Sequence, residues 1–440
     1  MRFYLLLSAS LFATANAPAL AQAGAGSSDP AAEEDRGRQG VEITGHVLKP
    51  VPLEWSAERM DRLALPPGFA INVYARDLMN ARMMDVAQDG TLYLTRREQG
   101  DVMMLRDTNG DGVADQQQVV ASKEQMHGIE VVGDAVYLIT VNDLYRADRM
   151  QDGTLGELEL IATDFPEGGQ HPNRMVVMGP DDRLYVSVGS TCNACAETND
   201  ENATIVSLNP DGSDRRIFAS GLRNTIGYAF EPSTGTVYGF DHGIDWLGDN
   251  EQHEEFNRLA DGQRYGWPYV YALSNFNPQD TPPDESFSEY AAGSVEPIGL
   301  HTPHSAPMQM VFDTHDALPE GYSGDAFVAL RGSWNRNPPS GYEVLRVDFE
   351  DGQLVAMEPF VTGFLMQDDS SPTGWGQMGR LAGMTQGPDG ALYLSDDENG
   401  IIYRIVYVGE EASSRPEPQF TNADDGELQI GLVNQGQRSE

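Results

Sequence analysis

Lysine is almost missing from this chain. Of its 28 basic residues only Lys49 and Lys123 are lysines, and they stand against 68 acidic residues, for a formal net charge of -40. A surface of that sign repels phosphate backbones, which excludes a nucleic-acid partner and argues against anionic membranes as well. Cysteine is as scarce: Cys192 and Cys195 are the whole supply, spaced CxxC. Two cysteines cannot complete a four-ligand zinc site, and no histidine pair stands at zinc-finger spacing. The pair either closes a local disulfide or packs reduced, since no βαβ pattern surrounds it as in a redox motif. Long apolar runs are missing too, so a membrane span is not expected; one needs roughly 20 continuous apolar residues.

At the N-terminus, Arg2, the apolar run from Phe3 to Ala13 and the small-x-small Ala21-Gln22-Ala23 predict a signal peptide over residues 1–23. The mature chain is then periplasmic or secreted. Residues 24–60 read as a polar leader, 61–408 as one domain and 409–440 as an acidic flexible tail, with both ends expected to be mobile.

Within the domain one phrase recurs: a turn rich in Gly, Pro and Asp, then a strand alternating small, aromatic and aliphatic residues. It ends at Thr95, Thr140, Gly189, Phe240, Leu330 and Asp397. Tight turns feeding strands of period two, rich in β-branched and aromatic residues, predict antiparallel β-structure. The spacing is that of propeller blades, each a small sheet that cannot bury its faces alone. Six phrases predict an all-β, six-bladed propeller. The two longer intervals predict inserted loops, over 262–307 and within 335–383, and such loops gather on one face and build sites. The segment from Phe69 to Ala75 reads as a strand closing the ring against the last blade.

Arginines placed in loops beside blade strands of an acidic protein suggest an anion site. Arg223 in GLRNTIG, Arg331 in ALRGSWNR and Arg380 in QMGRLAG are the candidates, because guanidinium forks grip carboxylates in pairs. The alternative for each is a salt bridge between blades. His127 and His171 each precede a blade strand; imidazole titrates near neutrality and is the usual general base. The stretch from Asp241 to Val270 combines glycines, carboxylates and YGWP, the oxygen-rich composition that suits calcium, or else a solvated acidic loop. Asp107, Asn109, Asp111, Gly112 and Asp115 form the first part of a calcium loop, but Gln118 replaces its bidentate Glu, so a hairpin turn is the equal alternative.

Taken in order, HPNRMVVMGPDDRLYVSVGS, SGLRNTIGYAFEPSTGTVYG, YGWP, HSAPMQMVF, GYSGDAFVALRGSWNR and GPDGALYLSDDENGIIYRI resemble the glucose/sorbosone dehydrogenases, from about Leu65 to Val408. The resemblance implies a six-bladed propeller that holds pyrroloquinoline quinone (PQQ) and a calcium ion (Ca2+) on one face and oxidises a sugar. By position, His171 is similar to the family's catalytic base, Arg223 and Asn224 to the pair that contacts the quinone, and Arg331 and Arg380 to cofactor arginines. Gly243 and Ile244 resemble the carbonyl ligands of calcium, with Glu255 and Tyr265 as outer positions. His127 is expected to serve cofactor or substrate binding. Ser190 stands where some soluble glucose dehydrogenases have an aspartate partner for the base, and Gln170 replaces an acid before the histidine; both point to the sorbosone-like branch. Ala196 follows Cys195, so the haem motif CxxCH is absent and electrons must leave to an external acceptor, a small quinone or a cytochrome. A calcium-dependent lactonase-type hydrolase and a non-catalytic carbohydrate-binding propeller are the alternatives.

Overall fold

The computed structural model describes residues 43–409 and 415–419. The signal-peptide segment, the first part of the leader and most of the acidic tail lie outside the described residues. What is described is nearly all β. Six sheets of four or five strands follow one another along the chain, antiparallel except where Gln263–Arg264 adds in parallel to Arg216–Ser220, and each recurring phrase forms the second strand of its sheet: Leu92–Arg96, Ala135–Ile139, Leu184–Val188, Val237–Asp241, Ala326–Leu330 and Leu392–Asp396. Local turn chemistry sets these hairpins. Gly90 and Gly390 take the left-handed backbone at φ 81° and 76°, while Asp89 and Asp389 accept the N–H two residues on.

The first strands of the sheets lie against one another. Met84–Val86 contacts Gly128–Val132 on one side and Leu381–Gln386 on the other; Val176–Met178 contacts Gly128–Val132, and Pro307–Phe312 contacts both Gly227–Phe230 and Leu381–Gln386. Buried side chains tie these neighbours: Gln309 accepts the N–H groups of Met84 and Met384, at 3.1 and 3.2 Å. Phe69–Ala75 pairs antiparallel with Ile401–Tyr407, Phe69 opposite Tyr407, so the expected closing strand completes the last sheet.

The inserted segments fold locally. Residues 262–299 carry the hairpin Val270–Tyr271 with Asn275–Phe276 and a short helix, Phe287–Ala292, which Ser286 and Glu289 cap reciprocally. Residues 365–377 form a second hairpin, Leu365–Gln367 with Trp375–Gln377. The described part of the leader is not the free segment expected. Val51 pairs in parallel with Gly376, Leu48 bridges to Asn335, and His46 Nδ1 meets the Asp249 carboxylate at 2.5 Å. Residues 415–419 are anchored as well, the Pro416 carbonyl accepting the Leu65 N–H at 3.0 Å. The Asp107 carboxylate accepts the N–H groups of Gly110, Asp111 and Gly112, which is how a hairpin turn is closed.

Phe69 sits at the closure, buried, its ring edge-on to Phe360, Tyr322 and Tyr407 at 5.0 to 5.3 Å. Replacing it leaves a cavity at the strand that joins the two ends of the domain, so Phe69→Ala is expected to cost about 3–5 kcal/mol. Urea unfolding checks this; a loss below about 1 kcal/mol would mean that the strand does not close the domain.

Candidate functional site

In an antiparallel pair the first strand begins where the second ends. Loops entering first strands and leaving second strands therefore converge on one edge of every sheet. His171, Arg223 with Asn224, Arg380 and Arg82 precede first strands; Arg97, Asp245, Arg331 and Asp397 follow second strands. All of them line one cavity of about 410 Å³.

The last residue of a second strand fixes the loop beside it. Asp241 accepts the backbone N–H groups of Arg223 and Asn224, each at 2.8 Å, and the Thr225 hydroxyl at 2.9 Å. Asp396 does the same for the Arg380 N–H at 2.9 Å. Both carboxyls are buried, which pushes them up to about 6 and about 7.

Five arginines and four carboxylates line the cavity. Asp397 is shared: one oxygen meets Arg82 at 2.7 Å and Arg331 at 2.5 Å. Burial works against its charge, but Arg331 and Arg82 outweigh that and hold the carboxyl below its ordinary value. Arg223 pairs with Asp245 at 2.8 Å and is locked by the Asn193 side chain and carbonyl. Arg97 and Arg380 have no ion-pair partner among the described residues, and the Nε of each is buried without a hydrogen bond. Glu254 is buried and accepts the N–H groups of Gly243 and Ala306; burial pushes its carboxyl up to about 8.

His171 Nδ1 lies 2.8 Å from Ser190 Oγ and 3.1 Å from the Ser190 carbonyl. The Ser190 hydroxyl donates to the Cys192 carbonyl at 2.7 Å, so its oxygen is left to accept. Nδ1 therefore carries the proton and Nε2 keeps a free lone pair. Burial, then Arg223 and His242, lower the imidazole to about 2, which leaves it neutral across the ordinary pH range.

Of the residues singled out from sequence, His171, Arg223, Asn224, Arg331, Arg380 and Gly243 meet in this cavity. His127 does not. It is buried beneath the wall, where Nδ1 donates to the Arg174 carbonyl at 2.8 Å and Nε2 accepts from Arg82 at 3.0 Å. Arg174 in turn donates to the His171 carbonyl, so His127 braces the loop of His171 rather than lining the cavity. Ile244 is packed in an apolar cluster, its N–H donating to Gln252. Glu255 points away and accepts the Ala272 N–H at 2.6 Å; the Tyr265 hydroxyl is taken up by Arg258 and Ala260. Glu255 and Tyr265 are thus outside the cavity, whereas Glu254 lines it. Sequence reading also missed Arg82, Arg97, Asp245 and Asp397. Cys192 and Cys195 form a disulfide. Among the described residues no helix is long and apolar enough to cross a membrane.

Comparison with known proteins places the chain among a recognisable group. Residues 63–408 match the TrAA12-like family profile. The PQQ-dependent pyranose dehydrogenase of Coprinopsis cinerea is 25% identical over 232 residues, 43% of this chain and 31% of that protein's length. Its PQQ domain in the holo form superposes with a TM-score of 0.67 at 22% identity, covering 81% of this chain and 98% of that domain. The calcium structure of a Trichoderma reesei AA12 enzyme gives a TM-score of 0.67 at 18% identity, covering 84% and 99%. These structural likenesses show the fold.

Asp397→Asn is expected to leave Arg82 buried without a counter-charge and to cost about 3–5 kcal/mol of stability, as breaking a buried pair from one side does. Thermal unfolding of the purified variant measures it; an unchanged midpoint would show that the carboxylate does not hold the arginines.

Proposed function

The chain belongs to the TrAA12-like family, and from that premise we propose that it is a PQQ-dependent sugar dehydrogenase, a quinoprotein oxidoreductase acting on aldose or sorbosone-type substrates. The observation that carries this is the pair of guanidiniums without an ion-pair partner among the described residues, Arg97 and Arg380, in the cavity of a chain with net charge -40; Arg380 meets only the Gly332 carbonyl, at 3.1 Å. Cations in so acidic a protein would ordinarily find carboxylates, and here three further arginines surround them. PQQ bears three carboxylates on a flat quinone, which suits guanidinium forks held in place. The same unpaired arginines favour this reading over a lactonase or a binding module. The six successive sheets, closed by Phe69–Ala75, support a six-bladed propeller.

Bound PQQ supplies a carbon that accepts a hydride from sugar C1. The chain's own residues do the rest. His171 Nε2 takes the proton of the C1 hydroxyl, and Ser190 Oγ holds Nδ1–H so that the ring stays in the basic tautomer. Ser190 thereby serves as a neutral orienting group. Arg223, fixed by Asp245 and Asn193, would hold a bound quinone and supply positive charge to it. Asn224 has a buried, unpartnered Oδ1 beside it.

Calcium is proposed as the second cofactor. Gly243, Asp245 and Glu254 line the cavity together, and their oxygens suit a hard cation once the quinone adds its own. Gly243 is kept as a candidate ligand, with Glu254 in place of Glu255. The external electron acceptor and the periplasmic or secreted location remain part of the proposal, the latter supported by the disulfide and the N-terminal sequence.

With saturating PQQ, calcium and an aldose, His171→Gln is expected to lower dye-reduction turnover by about 10²- to 10⁴-fold, the usual loss for a positioned base. Ser190→Ala should lower turnover in the same direction and by less, because the ring is freed rather than removed. Near-normal turnover in His171→Gln would overturn the assignment.

A further inference from the structure

We propose that Trp246 and Trp334 form a stacking platform at the cavity mouth for a second sugar ring, so that the preferred substrate is a reducing saccharide of at least two pyranose units. This rests on the sugar-dehydrogenase reading above and extends it to substrate class.

Both rings are exposed, Trp246 to 51% and Trp334 to 37%; Trp334 lines the cavity and Trp246 lies against Trp334. They meet edge-to-face, centroids 5.4 Å apart at 81°, an arrangement that leaves ring faces open to solvent. Nor do they hang from loose loops. Asn335 Nδ2 donates to the Asp245 carbonyl at 2.9 Å, joining the residue after one tryptophan to the residue before the other. On the far side Leu48 of the leader donates to the Trp334 carbonyl at 3.0 Å. The leader therefore helps to hold the platform still, and a fixed surface loses little freedom on binding.

The chemistry beside the rings selects a saccharide. Trp334 and Asn335 line the cavity itself. Asn335 is buried to 97%, its exposure being 3%, yet its Oδ1 has no hydrogen-bond partner; Asn173 Oδ1, in the same wall, is also buried and unpartnered. Carbonyl oxygens left unmatched beside an open indole face fit a ligand that offers hydroxyl donors at its rim and C–H groups on its face, which is what a pyranose presents. A purely apolar partner would leave those oxygens unmatched. The cavity, at about 410 Å³, lies toward the small end of ligand pockets, so a quinone and one sugar ring fill it and the next ring falls at the tryptophans.

The test uses full-length protein and saccharides blocked at the reducing end, which bind without being oxidised. Methyl β-cellobioside and methyl α-maltoside are titrated against tryptophan fluorescence, with methyl β-glucoside as the one-ring reference. At least one two-ring glycoside is expected to bind about tenfold more tightly than the reference, the scale of one aromatic contact. Trp334→Ala and Trp246→Ala should erase that advantage and lower the disaccharide-to-glucose ratio of kcat/KM by a similar factor, while Trp246→Phe, which keeps a stacking face, should retain it. Two-ring glycosides binding no better than one-ring, or a ratio unmoved in both alanine variants, would overturn the proposal. So would a loss confined to the rate with a protein electron acceptor, which would assign the rings to acceptor docking. A wild-type protein that binds the glycosides but never reduces dye with PQQ and glucose would strike the enzymatic reading and leave the platform standing.

Discussion

Gathering five guanidiniums around one cavity is the constraint on which the rest of the structure depends. Like charges at such close quarters repel, and burial makes each of them costlier. The fold answers with a single shared carboxylate, Asp397, between Arg82 and Arg331, and with Asp245 on Arg223. It then leaves Arg97 and Arg380 unmatched. A site meant only for stability would have used another carboxylate there, and the chain has 68 to draw upon. The uncompensated charge is the feature that makes an anionic cofactor the natural occupant.

Holding those charges requires rigid loops, and the antiparallel sheets supply them. Because each first strand starts where its second strand ends, one edge of five of the six sheets delivers residues to the same cavity. Asp241 and Asp396 close second strands and grip the backbone of the arginine loops. The contact between His127, Arg82 and Arg174 does the same from below, and so ties the arginine cluster to the loop of His171. The segment around Asn335 belongs to the wall, and Leu48 pairs with it from behind.

Much of this was legible in sequence because it is repeated or chemically distinctive. Six turn-and-strand phrases mark six second strands, since alternation and turn residues report local structure directly. Arg223, Arg331 and Arg380 stood out because cations beside strands are few in so acidic a chain. Carboxylates could not stand out in the same way, so Asp245 and Asp397 looked like any solvated acid. Glu254 and Glu255 show a sharper limit. Neighbours on a strand point to opposite faces, and nothing in HEEF says which of the two looks into the cavity; the register with His301 and Leu300 decides it. His127 and His171 sit in equivalent loops, and packing separates them: Arg82 covers the former, while the latter lines the cavity against Ser190. Residues 46–53 looked free because the partners of His46, Leu48 and Leu53, at Asp249, Trp334 and Gln377, are distant in sequence.

The central claim is that the arginine cavity binds PQQ. Titrating PQQ into the purified apoprotein in calcium buffer, followed by quenching of tryptophan fluorescence, tests it most directly. Saturable binding of one PQQ per chain is expected, weakened when calcium is chelated and reduced by at least about tenfold in Arg380→Ala, the loss of one charge-assisted pair. Binding that never saturates, or an Arg380→Ala variant that binds PQQ as tightly as the wild type, would contradict it.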